Sequence, residues 1–298
     1  MSTFNKEIVF EGAGTALITP FRNGGVDYEA FGKLIDEQIA GGVDALVICG
    51  TTGEGSTLTD EEHRECIRFG VERTAGRVPV VAGTGSNETD YATDLSKYAC
   101  EVGADALLLV TPYYNKTSPR GLIRHFTDTA DAVNKPIILY NVPSRTGMTI
   151  PLSVYRELAK HERIVAVKEA SGNLSAIAEI AAELSDSLKI YSGNDDQIVP
   201  IMSLGGIGVI SVLSNILPRE THEICAKYLA GDVTGSRDLQ LKLLKLINLL
   251  FIETNPIPVK AACALMGKCD GEIRLPLCEM EEGHLELLKA ELIRQGLI

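Results

Sequence analysis

The sequence lacks the cysteine and histidine spacings that hold metal ions or disulfide scaffolds. Its seven cysteines are scattered over 298 residues without a Cys-x-x-Cys pair, and its five histidines form neither His-x-His nor His-Glu-x-x-His. An odd, scattered cysteine set argues against a disulfide framework and against a zinc site. Gly-x-Ser-x-Gly is also missing, which excludes the α/β-hydrolase signature. We therefore predict reduced thiols and no metal ion.

Clustered positive charge is missing as well. The chain has 28 lysines and arginines against 40 acidic residues, a net charge of −12. Without a basic stripe, nucleic acids and anionic membranes are excluded as partners. A small acidic substrate is compatible with this charge, because one arginine or a few backbone N–H groups can hold a carboxylate.

No apolar run is long enough to cross a bilayer. The longest, residues 243–252, is interrupted by Lys245 and Asn248. Residues 1–7 also lack the apolar core of a signal peptide. We predict a soluble protein of the cytoplasm.

Short apolar runs rich in β-branched residues recur along the first two thirds of the chain. They lie at residues 15–19, 45–49, 78–82, 106–110, 136–140, 164–168, 188–192 and 208–212. Runs of this kind are typical of strands buried on both faces of a parallel sheet. Segments with helical spacing separate them, and Thr59 with Glu62 forms a capping-box pattern at the start of one, residues 60–74.

Eight strand–helix units in series predict an α/β fold, the (β/α)₈ barrel. After Pro218 the alternation of strands and helices ends, and helical segments follow at 219–229, 236–251, 258–266 and 281–294. We therefore predict two domains, a barrel with the active site over residues 1–218 and a C-terminal helical bundle over 219–298. Active sites of such barrels lie at the C-terminal ends of the strands.

The sixth predicted strand ends in a lysine, Lys168, directly after apolar residues. Burial disfavours the charged form of an amine, and a neutral amine attacks carbonyl groups to form a Schiff base. Two interpretations are open from the residues alone. Lys168 is such a nucleophile, or its ammonium group reaches the rim of the barrel or pairs with Glu169.

The fifth predicted strand ends in Tyr140 and continues into a turn that contains Arg145. A parallel barrel places Tyr140 next to Lys168 on the neighbouring strand, where its phenol could move protons. A core aromatic is the alternative. Arg145 could bind a carboxylate through two parallel hydrogen bonds from its guanidinium group, or it could form a surface ion pair.

The second predicted strand ends in a loop rich in glycine and threonine, residues 50–56. Converging backbone N–H groups and hydroxyls bind anions, so the loop is either an anion site or a capping turn. It is not a Walker A loop, because the Lys-Ser/Thr ending is missing.

Two other strand ends carry polar pairs. Tyr113 and Tyr114 follow the fourth strand, and packing or an interface is their default role. Asp195 and Asp196 follow the seventh strand. They could bind Mg²⁺, but we interpret them as a helix start, where acidic groups complement the helix dipole.

Three motifs lie in order on the predicted strand ends: Gly50-Thr51-Thr52-Gly53-Glu54, Tyr140-Asn141-Val142-Pro143-Ser144-Arg145-Thr146-Gly147 and Val167-Lys168-Glu169-Ala170. Together they resemble the dihydrodipicolinate synthase family, within the N-acetylneuraminate lyase superfamily of class I aldolases. The resemblance extends from about Gly12 into the C-terminal helices, where residues 255–260 also match.

The resemblance implies an enzyme, a carbon–oxygen lyase that joins two small substrates as an aldolase does. It would condense pyruvate with L-aspartate 4-semialdehyde, the first committed step of diaminopimelate and lysine biosynthesis. The family needs no metal or organic cofactor and is usually a homotetramer built as a dimer of dimers.

The resemblance also implies the catalytic residues. Lys168 would form the Schiff base with pyruvate, and Tyr140 would be the general acid and base. Thr51 and Tyr114 would complete a proton relay, with Tyr114 reaching across a dimer interface.

Binding roles follow in the same way. Thr51 and Thr52 would hold the pyruvate carboxylate, and Arg145 the carboxylate of the semialdehyde. Gly193 and Ile210 would line the pyruvate pocket. Sialic-acid lyases typically lack this combination, so Thr52 with Arg145 favours the synthase.

The sequence departs from the family at the lysine-feedback site of some members. His63, Asn87 and Tyr113 fit that site, but Asp60 and Tyr91 stand where a sensitive enzyme has His and Glu. The acid that would pair with the inhibitor's ammonium group is therefore missing. We predict weak or absent inhibition by lysine.

Two alternatives to the synthase are open, a second enzyme and a protein of a different class. One is a sibling pyruvate aldolase or lyase that uses another aldehyde, such as N-acetylmannosamine or a sugar acid. The other is a barrel that binds a keto acid or serves assembly without catalysis. Arg145 argues against the first, and Lys168, Tyr140 and Thr51 argue against the second.

Overall fold

The computed structural model describes residues 6–298. Part of the segment that predicts the absence of a signal peptide, residues 1–5, lies outside the described residues. Ten strands are found in the described chain: β1 Gly12–Ala16, β2 Phe21–Arg22, β3 Gly25–Val26, β4 Ala45–Ile48, β5 Val80–Gly83, β6 Ala106–Val110, β7 Ile137–Asn141, β8 Ile164–Glu169, β9 Lys189–Ser192 and β10 Gly208–Ser211.

Eight of these strands form a closed parallel barrel. Their order around the barrel is β1, β10, β9, β8, β7, β6, β5 and β4, and β4 pairs with β1 to close it. The remaining two, β2 and β3, form a small antiparallel hairpin. The predicted (β/α)₈ fold is therefore confirmed.

The helices lie between and after the barrel strands. They are α1 Tyr28–Ala40, α2 Asp60–Thr74, α3 Thr89–Glu101, α4 Pro119–Ala132, α5 Pro143–Thr146, α6 Leu152–Leu158, α7 Leu174–Leu184, α8 Ile198–Ser203, α9 Pro218–Leu229, α10 Val233–Leu249, α11 Ile257–Leu265 and α12 Glu282–Gln295. The capping box of α2 is confirmed, since the Thr59 hydroxyl accepts from the Glu62 N–H and the Glu62 carboxylate from the Thr59 N–H. This box fixes where α2 begins after the 50–56 loop.

The first strand was predicted too late in the chain. It spans Gly12–Ala16, and its glycines hid it because glycine is depleted in strands. Both glycines allow close packing of neighbouring side chains, since a Cβ atom on Gly12 would lie 2.1 Å from the Asp44 Oδ2 and one on Gly14 would lie 2.7 Å from the Phe10 ring. The backbone contact between β1 and β10 depends instead on Gly208, where a Cβ atom would lie only 1.9 Å from the Gly12 carbonyl oxygen.

The barrel has two apolar cores. One lies between the strands and the surrounding helices, and the other fills the barrel interior. Tyr191 belongs to the inner core, where its ring stacks on Phe10 at 4.4 Å and its hydroxyl donates to the Phe10 carbonyl at 2.6 Å. Phe10 precedes β1, so this pair closes the N-terminal end of the barrel and leaves the other end open for chemistry.

The helices α9–α12 follow the last barrel strand. The division into domains at residue 218 stays a prediction. None of the helices within residues 6–298 has the length and apolar character to cross a membrane.

Candidate active site

The pairing of β7 with β8 sets Lys168 beside Tyr140. The two residues are register partners at the C-terminal ends of adjacent strands. Both are buried, and the Lys168 Nζ lies over the tyrosine ring, 4.4 Å from its centroid. A buried amine against an aromatic face next to a phenol hydroxyl can both attack a carbonyl group and exchange protons.

The alternative roles of Lys168 do not match its surroundings. Its side chain is only 5% exposed, so it does not reach the rim of the barrel. The Glu169 carboxylate is used elsewhere, because it accepts from the Asn141 amide and the Tyr155 hydroxyl, each at 2.7 Å. No carboxylate within residues 6–298 forms an ion pair with Lys168.

Asp195 is a buried acid near Lys168, with which its carboxyl group interacts electrostatically. Its Oδ2 accepts from the backbone N–H groups of Val212 and Leu213, each at 3.0 Å. Burial raises the pKa of this carboxyl group. Asp195 does begin a short 3₁₀ helix, Asp195–Gln197, as the helix-start interpretation implies. Its carboxylate nevertheless caps a different segment, the turn after β10.

The 50–56 loop presents its threonines at the mouth of the barrel. Thr51 lines the cavity there, and Thr52 is buried. The side-chain amide of Asn255 donates to the Thr52 hydroxyl oxygen at 3.0 Å. A hydroxyl that accepts this bond still has its own hydrogen to donate to a bound carboxylate.

Arg145 lies in the helical turn Pro143–Thr146, directly after the strand that carries Tyr140. Its Nη2 donates to the backbone carbonyl of Asn255 at 2.8 Å. Asn255 thus contacts Thr52 and Arg145, two of the three residues that are predicted to hold carboxylates. Sequence reasoning gave Asn255 no role, although it lies in the 255–260 segment that matched the family.

A cavity of about 400 Å³ lies at this end of the barrel. Thr51, Tyr140 and Arg145 line it together with His63 and Tyr113. A cavity of this size suits a small molecule. The His63 Nε2 donates to the Gly83 carbonyl at 2.8 Å, and burial lowers the pKa of the imidazole.

Other predicted residues lie outside the lining of this cavity, among them Lys168 and Thr52, which are buried next to it. Ile210 is buried in the inner core with Tyr140, and Gly193 donates its N–H to the Glu169 carbonyl at 2.7 Å. Asn87 accepts at its carbonyl from the Asn115 amide at 2.8 Å. Tyr114 is 91% exposed.

Gly193 is the predicted pocket residue with the clearest geometric requirement. A Cβ atom at this position would lie 2.7 Å from the Ala170 Cβ and 3.0 Å from the Glu169 carbonyl oxygen. The backbone after β9 therefore packs directly against the end of the strand that carries Lys168.

Comparisons with known proteins agree on one family. The model of the dihydrodipicolinate synthetase family matches residues 9–295. A 4-hydroxy-tetrahydrodipicolinate synthase of Clostridium perfringens (strain SM101 / Type A) is 58% identical over 290 residues, 97% of this chain and 100% of that protein.

Solved structures give the same result. The dihydrodipicolinate synthase from Aquifex aeolicus superposes with a TM-score of 0.95 at 48% identity, over 97% of this chain and 99% of that one. The enzyme from Acinetobacter baumannii, solved in complex with pyruvate, gives a TM-score of 0.94 at 42% identity, over 97% and 99% of the two chains.

Proposed function

The chain belongs to the dihydrodipicolinate synthetase family, and on that premise we propose that it condenses pyruvate with L-aspartate 4-semialdehyde through a Schiff base on Lys168. The activity is that of a 4-hydroxy-tetrahydrodipicolinate synthase, a lyase of diaminopimelate and lysine biosynthesis. The observation that carries the proposed mechanism is the buried Lys168 amine, which has no ion pair within residues 6–298 and lies over the Tyr140 ring.

The first half of the reaction activates pyruvate. The Lys168 amine attacks the keto carbon, and water leaves as the imine forms. Tyr140 moves the protons that this exchange requires, with Thr51 and Tyr114 as relay partners. The protonated imine withdraws electrons, so a methyl proton leaves and an enamine forms.

The second half forms the carbon–carbon bond. The enamine carbon attacks the aldehyde carbon of the semialdehyde, whose oxygen becomes a hydroxyl. The amino group of the same molecule then attacks the imine carbon and closes a ring. This step expels Lys168 as the free amine. The water lost during imine formation is the one water released per turnover, and no oxidant or reductant is needed.

Three groups are proposed to select the substrates. Thr51 and Thr52 bind the pyruvate carboxylate through hydroxyl and backbone N–H groups, and Arg145 binds the carboxylate of the semialdehyde. Gly193 and Ile210 line the pyruvate subsite. The Asn255 bridge between Thr52 and Arg145 supports this assignment, because it places both carboxylate-binding groups on one scaffold.

A panel of aldehydes tests the acceptor. Purified protein receives pyruvate with L-aspartate 4-semialdehyde, and the product is followed with the next reductase of the pathway. We expect rapid consumption of pyruvate that depends on the semialdehyde. Consumption with N-acetylmannosamine or a sugar-acid aldehyde, but not with the semialdehyde, would instead establish the sibling aldolase.

The assembly is proposed as a homotetramer in the cytoplasm. Tyr114 supports it, because a tyrosine that is 91% exposed on a single chain becomes part of a proton relay when a second subunit covers it. Sedimentation analysis of the purified protein measures the oligomeric state. A fully active monomer would contradict the relay through Tyr114.

We propose that free lysine inhibits the activity weakly or not at all. The Asp60 carboxylate at the edge of the degenerate site is engaged by the Arg64 guanidinium at 2.8 Å and is therefore a poor partner for an inhibitor's ammonium group. Two other residues of the degenerate site, His63 and Tyr113, line the cavity. A lysine titration of the activity tests this, and near-complete inhibition at physiological lysine would refute it.

A further inference from the structure

The middle of the 50–56 loop is held by a residue that the mechanism does not use, Glu54. Its side chain is only 1% exposed, and its backbone adopts the left-handed conformation with φ of 52°. That conformation costs a residue other than glycine about 1–2 kcal/mol. The Glu54 N–H donates to the Thr51 carbonyl at 3.1 Å, so the position of Glu54 is transmitted to a substrate-binding threonine.

The partner of Glu54 comes from beyond the barrel. Lys260, in α11, is also 1% exposed and forms an ion pair with the Glu54 carboxylate. The Lys260 Nζ lies over the buried Phe21 ring, 4.0 Å from its centroid. The other Glu54 oxygen accepts from the Arg274 backbone N–H at 3.1 Å. Both carboxylate oxygens are therefore bound by the C-terminal segment.

The same segment also holds the helix that follows the loop. The Arg274 guanidinium donates to both carboxylate oxygens of Glu62 at 2.6 Å, and Glu62 is the capping-box acid of α2. The loop is thus fixed at Glu54 in its middle and at Glu62 beyond its end. Residues 255–274 supply all of these contacts, because Asn255 binds Thr52 as well.

Stability alone does not explain a buried pair of charges. Desolvation of two ions offsets most of their attraction, and well-packed apolar residues in the same space often stabilise a fold equally well. Burial indeed lowers the pKa of Lys260 against the pull of Glu54. What the pair supplies, and an apolar pair would not, is one directed contact that fixes the loop in a single geometry.

We propose that Glu54 and Lys260 are positioning residues, whose ion pair holds Thr51 and Thr52 in the geometry that binds the carboxylate of a 2-oxo acid. This inference rests on the proposed function, since it concerns the same pyruvate subsite. Neither residue lines the cavity at the mouth of the barrel, and both act through the loop backbone.

The experiment uses the double variant Glu54→Gln/Lys260→Met, which is neutral and similar in shape. It leaves no buried charge without a partner, so it avoids the penalty of a single deletion. Pyruvate is titrated without aldehyde, and the imine is reduced with borohydride and counted by intact mass. The matched control is Glu37→Gln/Lys268→Met, which removes an ion pair between the C-terminal segment and α1, away from the loop.

We expect the half-saturating pyruvate concentration to rise at least about tenfold in the double variant, because a displacement of about 1 Å can cost up to 100-fold. Trapping at saturating pyruvate should stay complete, since Lys168 is intact. The control variant should match the parent. Glu54→Gln alone, as a second variant, should shift the concentration in the same direction.

Two results would overturn the inference, and they are distinguishable. If the parent traps pyruvate and the folded double variant has the parent's half-saturation, Glu54 and Lys260 do not position the loop. If the parent itself traps no pyruvate, the proposed function fails and the positioning role fails with it.

Discussion

Lys168 and Lys260 are both buried and both lie over an aromatic ring, yet only Lys260 has a carboxylate partner within residues 6–298. Lys260 is bound by Glu54, and its amine is occupied by the fold. The acid next to Lys168, Glu169, is already saturated by Asn141, Tyr155 and Ser171. The amine of Lys168 is therefore available to a substrate.

The difference shows that burial alone does not indicate a nucleophile. A buried lysine with a paired carboxylate holds two segments together. A buried lysine without such a partner has an amine that no ion pair occupies, and such an amine can attack a carbonyl group. Removing each amine in turn separates the roles of the two lysines.

The largest effect should come from Lys168→Met. We expect the turnover and the borohydride trapping of pyruvate to fall by more than about 1,000-fold, because the attacking amine is gone. The free energy of unfolding should change by less than about 1.5 kcal/mol, since the substitution keeps the volume and leaves no ion-pair partner behind. Activity assays and denaturant unfolding measure the two quantities on the same preparation. Residual trapping at the parental level would show that another amine carries the chemistry.

The reverse pattern is expected for Lys260→Met. This change leaves the Glu54 carboxylate buried without its cation, which should cost about 3–5 kcal/mol of unfolding free energy. Molecules that remain folded should still trap pyruvate, because Lys168 is present. Denaturant unfolding at constant pH gives the cost. Equal stability of this variant and Lys168→Met would erase the distinction between the two lysines.

A third buried base, His63, extends the comparison to a group that titrates near neutral pH. Burial holds the pKa of folded His63 below its unfolded value of about 6.5. Its contribution to stability is therefore complete above pH 6.5, and it is lost as the pH falls from about 6.5 towards the folded pKa. The loss is at most about 1.4 kcal/mol per pH unit.

His63→Gln keeps a hydrogen-bond donor for the Gly83 carbonyl and removes the titration. Unfolding free energies of parent and variant, measured between pH 7.5 and about 5, give the contribution of His63 by difference. We expect the parent to lose stability relative to the variant as the pH falls. Parallel curves would mean that His63 is not shielded from water.

The two lysines also separate what the sequence could predict from what it could not. Lys168 stands out because a charged residue ends an apolar strand, and the pairing of adjacent parallel strands then places it near Tyr140. The barrel was predictable for the same reason, since its apolar runs are local patterns. The glycine-rich first strand was located too late, because its glycines make room for the Asp44 and Phe10 side chains, contacts that no local pattern shows.

Lys260 looks like an ordinary helical lysine in the sequence. Its partner Glu54 lies 206 positions earlier in the chain. Asn255 was missed as a link between Thr52 and Arg145 for the same reason. Contacts of this kind depend on how the C-terminal helices dock on the barrel, which no local pattern specifies.

Locating the trapped adduct tests directly whether Lys168 is the nucleophile. The protein is incubated with pyruvate, the imine is reduced with borohydride to a stable secondary amine, and the digested protein is mapped by mass spectrometry. We predict one modified lysine, Lys168. An adduct on Lys260 or on another lysine, with Lys168 unmodified, would contradict the assignment of the buried amine without an ion pair as the nucleophile.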